Sequence, residues 1–488
     1  DTKLLLTPTL MVFSSSVFLF LFLPLTIMGY FLAPGIRSKN IFLLLASLFF
    51  YSWGEIHYVI VLLLSVGCNT WFGNRIERFR EHAKLYLILA IVVNLILLGY
   101  FKYANFVVDN LNLLLISAGL DELANRKVHL PLGISFFTFQ AMSYIVDVYR
   151  GTAKAQKNFF NVALYISLFP QLIAGPIVRY GDISTQLTER HSSMDDIAWG
   201  VRRFTIGLAK KVLIANVVGQ AADEIFAHDS GQLDYALAWL GIICYALQIY
   251  FDFSGYSDMA IGLGRIFGFK FPENFNQPYT SRSAQEFWQR WHMSLSGWFR
   301  DYLYIPLGGN RHGDLRTYFN LVLVFFLCGL WHGASWSFVV WGLFHGGFLV
   351  LERSSAGGLI RSMPNIIRHA YLILVVLIGW VFFRAETLPY ALEFIASMFG
   401  FGDRSNDGYF MVFVTPKLAL VLGIAVFICA WPALGNWSKR LCDLTKNDSG
   451  ATSSSICILR DIAIVGLLFL SAVFVTAQSY NPFIYFRF

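Results

Sequence analysis

Residues 85–101, LYLILAIVVNLILLGYF, hold no charged side chain, and blocks of this kind recur along the chain. A helix needs about 20 apolar residues to cross a bilayer. VFLFLFLPLTIMGYFLA (17–33), AYLILVVLIGWVFF (370–383), PKLALVLGIAVFICAWPAL (416–434) and IAIVGLLFLSAVFVTA (462–477) have that character. Lipid leaves backbone groups no partner, so only helices and closed barrels span it. The alternating pattern of a barrel is absent. The expected class is an all-α polytopic membrane protein with roughly a dozen helical segments. Charged residues are 14% of the 488, against about 25% in an ordinary soluble domain.

The polar connections, such as NRIERFREHAK (74–84), are too short to hide a soluble domain. KNDSGATSSS (446–455) reads as a flexible loop. The net charge of +7 falls in loops, at Arg37 and Lys39, Arg75 to Lys84, Arg353 to Arg368, and Lys439 with Arg440. Positive charge on cytoplasmic loops explains this, so no nucleic-acid partner is expected. MVFSSS at Met11 looks like a natural start, and residues 1–10 are set aside as an upstream remnant. Residues 11–488 are expected to form one integral-membrane domain. It ends in the aromatic NPFIYFRF, suited to a membrane interface.

Ionisable groups inside a span cost about 2.5–3.5 kcal/mol each at a helix centre. Asp147 and Arg150, Lys210 and Lys211, and Asp252, Asp258 and Arg265 all stand in apolar sequence. Internal ion pairs are one reading, and a polar cavity reaching into the bilayer is the other. The segment FWQRWHMSLSGWFRDYLYIPLGGNR (287–311) predicts one amphipathic helix, interfacial or re-entrant, broken by PLGGN. At ~100° per residue, Trp288, Trp291, Leu295, Trp298, Phe299 and Tyr302 share a face. Arg290, Ser294, Gly297 and Asp301 lie opposite, with His292 beside the aromatic stripe.

Residues 317–351 carry no charge, and they contain both GLWHG (329–333) and GLFHG (342–346). G-x-x-x-G lets two helix backbones approach closely, which accounts for all four glycines. It does not account for His332 or His345. These lie 13 positions apart, about 220° around a continuous helix. The stretch is too long for one span, so a break is expected near GASWS, with His332 beside the turn. Cys328 and His332 share a face, but no third metal ligand is evident nearby and no H-E-x-x-H exists, so no metal is expected. No G-x-S-x-G marks a serine nucleophile. An imidazole in apolar surroundings stays neutral, because leaving water penalises the charged form, and a neutral imidazole can take a proton from a hydroxyl.

PLGISFFTFQAMSYIVDVYRG, FPQLIAGPIVRY, YFDFSGYSDMAIGLGRIFGFKFPENFNQPY, FWQRWHMSLSGWFRDYLYIPLGGNR, CGLWHGASWSFVVWGLFHG, GWVFFRA and FIYFRF together resemble the bacterial polysaccharide branch of the membrane-bound O-acyltransferase (MBOAT) superfamily. The resemblance covers nearly the whole length from Met11. YIPLGGNR is similar to alginate O-acetylases and peptidoglycan O-acetyltransferases rather than to D-alanyl transfer proteins.

The resemblance implies a bundle of roughly 11–13 transmembrane or re-entrant helices around a tunnel. It implies a multi-pass protein of the bacterial inner membrane. The histidine of its WHG element is catalytic and maps to His332, and its second site position falls at His292. His345 matches no catalytic position and reads as packing. Trp288, Gln289, Trp291, Trp298, Arg300, Asp301, Trp331, Ser335 and Asp252 are the expected tunnel or substrate residues. The implied reaction moves acetyl from a cytoplasmic donor, acetyl-CoA, with no permanently bound cofactor. His332 serves as general base or as a covalent acyl carrier. The implied partners are periplasmic or membrane-anchored O-acetyltransferase proteins, a polysaccharide assembly complex and membrane lipids. Alginate is the first substrate choice, with peptidoglycan or cellulose as alternatives. The rival class is a non-enzymatic transporter, which would have no need of one particular histidine.

Overall fold

A computed structural model describes residues 11–124, 127–228, 233–401, 409–431, 451–477 and 480–482. The described residues form helices joined by turns, with no strand among them. Six of the helices are long and apolar enough to cross a membrane: Val59–Arg78, Arg80–Ser117, Tyr235–Ile266, Asp314–His332, Asn365–Arg384 and Cys457–Ala477. Phe18–Leu32, Leu388–Met398 and Pro416–Ala430 are shorter apolar helices. The all-α, multi-pass class expected from the apolar blocks is the class observed. Residues 1–10, the first half of the 446–455 loop and the tail beyond Pro482 lie outside the described residues. The second half of that loop is a correction. Ala451–Ser455 open the helix Ala451–Ala477, because the long apolar run that follows carries the helix past their weaker local preference.

The chain divides into two compact units. The first runs to Val201 and includes Ala260–Pro272; the second takes Arg202–Met259 and the chain from Glu273 onward. In the first unit, apolar helices are pinned by amides. Asn69 and Asn94 exchange side-chain hydrogen bonds of 3.1 and 2.8 Å between Val59–Arg78 and Ala83–Ser117. Arg190 donates to the Asn40 amide oxygen at 2.6 Å and to the Phe267 carbonyl at 3.0 Å. Asp147 accepts from the Gly181 backbone at 3.0 Å, and Arg265 pairs with Asp196 at 2.7 Å.

In the second unit, residues 235–259 of helix α1 (Tyr235–Ile266) pack against residues 202–209 of the helix Met194–Ala209 through two glycines. A Cβ on Gly207 would fall 2.4 Å from the Gly255 carbonyl, and one on Gly255 would fall 2.7 Å from that of Gly207. This close crossing brings Arg203 and Lys210 onto Asp258, each at 2.6 Å. The next charge is on a π-helical turn, Lys210–Ala215, where Lys211 pairs with Asp252 at 2.9 Å. Both side chains of that pair are almost wholly enclosed, at 4% and 1% exposure. Of the charges that stand in apolar sequence, Lys210, Lys211, Asp252, Asp258 and Arg265 are therefore held in ion pairs, as a buried ion requires, while Arg150 is exposed.

The segment 284–304 departs from the single amphipathic helix expected. It forms α2 (Ala284–Arg290) and α3 (Met293–Phe299), followed by a π turn at Arg300–Tyr304. The break falls at His292, whose φ of 45° is left-handed. A tryptophan stripe at helical spacing cannot reveal one residue that turns the chain. Gly308 and Gly309, both at positive φ, then stop the segment where PLGGN was expected to.

Candidate active site

Helices α4 (Asp314–His332) and α5 (Trp336–Arg353) form a hairpin whose turn is Gly333–Ser335. The break expected near GASWS is here, and His332 is the last residue before it. A Cβ on Gly329 would stand 2.3 Å from the Phe338 carbonyl, and one on Gly342 2.3 Å from the Phe325 carbonyl. Gly333 faces the Phe338 ring and Gly346 faces Val322 and Phe325. All four motif glycines therefore serve close packing, as the spacing implied.

His332 is 7% exposed. Trp331, Trp341 and Phe383 surround its ring, with centroids at 4.9, 5.0 and 5.0 Å; Phe338 lies at 6.5 Å. Phe383 comes from α6 (Asn365–Arg384). Trp331 neighbours both imidazoles, since its centroid is also 6.2 Å from that of His292. The fold thus gathers His332, His292 and Trp331 from the expected set.

Trp288 and Trp291 join the same aromatic cluster. Trp288 meets Trp341 at 5.5 Å, and Trp291 meets Trp380 at 4.8 Å. Ser335 is half-buried in the hairpin turn. Trp298 packs on Phe299 and Tyr302. Gln289 and Arg300 are exposed, Arg300 being paired with its neighbour Asp301 at 2.7 Å. Asp252 faces Lys211 in the ion pair described above.

His292 is 1% exposed and holds its left-handed conformation through Asn274, itself 0% exposed. The Asn274 amide oxygen lies 3.0 Å from His292 Nδ1 and accepts from the Ser294 backbone N–H at 3.2 Å and from the Ser294 hydroxyl at 2.8 Å. Its backbone carbonyl accepts from Met293 at 2.9 Å, and its Nδ2 donates to Ser257 Oγ at 3.0 Å. A non-glycine residue in this region costs about 1–3 kcal/mol, which persists only where the surroundings over-determine it. Here five bonds do. Phe253 presents an edge-on ring at 4.6 Å. His292 lies between the spans, and burial pushes its pKa down to about 3, so the ring is neutral throughout the physiological range.

Other residues of this site were not singled out from the sequence. Trp341, Trp380 and Phe383 lie among many aromatics, and only GWVFFRA marked the last two. Asn274 sits in NFNQPY with no spacing that links it to His292. Glu352 is buried and accepts from the backbone N–H groups of Ala284 at 2.7 Å and Gln285 at 3.2 Å, which seats the N-terminus of α2 on α5. His345 is enclosed by Trp288 at 4.9 Å and Trp341 at 5.2 Å.

Residues 152–385, which contain the whole cluster, match the family described as MBOAT, membrane-bound O-acyltransferase family. An Azotobacter vinelandii protein named "Probable alginate O-acetylase AlgI" is 44% identical over 98% of this chain and 100% of its own length. A "Peptidoglycan O-acetyltransferase" of Helicobacter pylori is 35% identical over 98% of both chains. A "Teichoic acid D-alanyltransferase" of Bacillus subtilis is 30% identical over 44% of this chain and 56% of its own. On the family match and the two full-length likenesses, the chain belongs to the membrane-bound O-acyltransferase family.

Proposed function

We propose that this enzyme is an inner-membrane O-acetyltransferase. It takes acetyl from acetyl-CoA on the cytoplasmic side and passes it to a periplasmic partner that acetylates a polysaccharide. Alginate is the favoured polysaccharide, because the relative named for alginate O-acetylation matches from end to end at the higher identity.

The observation that carries the reading is the His332 imidazole, placed at a helix break and boxed by Trp331, Trp341 and Phe383. In that setting the imidazole takes the proton of the acceptor hydroxyl as its oxygen attacks the thioester carbonyl. The C–S bond breaks, and the departing thiolate recovers the proton from the imidazolium. The aromatic walls exclude water, which would otherwise compete as the acceptor. His292, whose ring also neighbours Trp331, orients a reactant. Basic loops attract the phosphates of the donor.

The test is transfer of labelled acetyl from acetyl-CoA by purified protein in vesicles, with wild type beside His332→Ala. Label reaching an acceptor only with wild type supports the assignment. Equal transfer by two folded proteins would move the chemistry away from His332.

A further inference from the structure

The loop between the π turn Arg300–Tyr304 and α4 is tied to the helix it precedes. Gly308 and Gly309, at φ of 104° and 57°, fold it back. The buried Asn320 of α4 donates to the Gly309 carbonyl at 2.9 Å, and Thr317 Oγ1 donates to the Gly313 carbonyl at 2.9 Å. The loop and the first turn of α4 frame an open cavity of about 680 Å³, lined by Pro306, Leu307, Gly308, Arg311, His312 and Arg316.

The charge around this cavity is of one sign. Arg311 is set by the backbone: its Nη2 donates to the Ile305 carbonyl at 3.2 Å and its Nε to the Gly308 carbonyl at 3.4 Å. The His312 ring lies on Gly308, where a Cβ would stand 2.6 Å from Cδ2. Arg316 stacks on the Phe319 ring at 5.3 Å. Among the described residues no carboxylate pairs with Arg311 or Arg316, and Asp314, in the first turn of α4, does not line the cavity. Two guanidinium groups and an imidazole N–H form a donor set that fits a phosphate, whose oxygens a guanidinium takes in pairs.

The flanking residues favour a lipid as the source of that phosphate. Leu315 and Phe319, four positions apart on one face of α4, are both exposed, as is Ile305. Helix α4 is long and apolar enough to cross a membrane. His332 closes its other end, sixteen residues from Arg316 and so about 24 Å along the helix. We propose that the cavity binds the phosphate of an anionic phospholipid. Arg311 and Arg316 clasp the phosphate, His312 donates its ring N–H, and the acyl chains run along Leu315 and Phe319. Basic pockets at the membrane surface take lipid head groups in this way. The bound lipid holds the loop and the N-terminal end of α4 at one depth in the bilayer. The site does not depend on the proposed acetyl transfer.

Native mass spectrometry of the full chain in detergent, with phosphatidylglycerol or phosphatidylcholine added, tests this. Wild type should keep one phosphatidylglycerol under conditions that strip phosphatidylcholine. Arg311→Gln with Arg316→Gln should weaken that retention about tenfold or more, since each cation near an anionic head group counts severalfold. Arg353→Gln should not, because Arg353 is exposed at the end of α5 and does not line the cavity. Should the double variant fail to fold, Arg316→Gln alone carries the test, with a loss of about threefold or more. Among the described residues Arg316 makes no hydrogen bond that the fold would forfeit. Equal retention by wild type and the Arg311 and Arg316 variants overturns the site, and an equal loss in Arg353→Gln overturns it as mere surface charge. Coenzyme A is the competing source of phosphate. No displacement of the lipid by coenzyme A at equal concentration is expected; displacement would give the cavity to a soluble donor and overturn the lipid assignment.

Discussion

The imidazole of His345 occupies the space where a side chain on Gly379 would begin: a Cβ there would stand 2.4 Å from Nε2. His345 is thus a piece of the α5–α6 packing, whereas His332, one helix break earlier, is enclosed by rings contributed from several directions. Two copies of one sequence pattern have different surroundings because one ends a helix and the other lies within one.

His345→Ala should lower stability by about 2–4 kcal/mol through the cavity it leaves, while any protein that remains folded keeps its acetyl transfer. His332→Ala should do the reverse. Thermal unfolding and vesicle transfer, measured on both, check this; a stable but inactive His345→Ala would reverse the ranking of the two histidines.

Gly379→Ala should be strongly destabilising in wild type and much less so in a His345→Ala background. Contacting residues couple by about 0.5–3 kcal/mol. A four-variant unfolding cycle gives the coupling directly, and additive effects would show that the helices separate without involving the imidazole.

The hairpin glycines give a sharper contrast. Gly342→Ala places a methyl 2.3 Å from a backbone carbonyl, while Gly347→Ala meets nothing within 4 Å. The first should abolish or severely reduce transfer, since His332 sits at the end of the hairpin it distorts. The second should leave stability within about 0.5 kcal/mol. Parallel melting and transfer assays on the pair distinguish packing from a general intolerance of substitution.

Lys211→Met should destabilise by about 3–5 kcal/mol, because buried Asp252 loses the ammonium that faces it at 2.9 Å. Adding Asp252→Leu should restore much of the loss. Comparable instability in the single and double variants would show that the charges are needed for something beyond neutralising each other.

Removing the Glu352 carboxylate should loosen α2 and with it Trp288 and Trp291. Glu352→Ala is expected to cost about 1–2 kcal/mol, the usual scale for losing a helix cap. Intrinsic tryptophan fluorescence should shift before the rest of the protein unfolds; a single cooperative transition would show that α2 is held by its ring contacts alone.

Much of this was legible in the sequence, and the reasons differ by feature. The apolar blocks announced helices because lipid permits little else. The glycine pairs announced close packing, and the length of uncharged sequence required a break beside His332. The partners of Lys211 and Asp258 were not legible, since a charge in an apolar run states its cost but not its counter-ion. The tryptophan periodicity over 288–302 misled for a different reason. A hydrophobic stripe averages over many residues, whereas the path of the chain was decided by one dihedral at His292, held by an asparagine 18 positions earlier. Such a contact leaves no local pattern.

The Lys211–Asp252 pair also bears on how the chain is made. Lys211 emerges from the ribosome well before its counter-ion, and Asp252, inside the candidate span Tyr235–Ile266, opposes release of that helix into lipid by about 2.5–3.5 kcal/mol at a helix centre. Tyr235–Ile266 is therefore expected to enter the bilayer only once Lys211, already synthesised, has docked against Asp252. The order of synthesis becomes part of the folding pathway, with the ion pair acting as the condition for membrane integration.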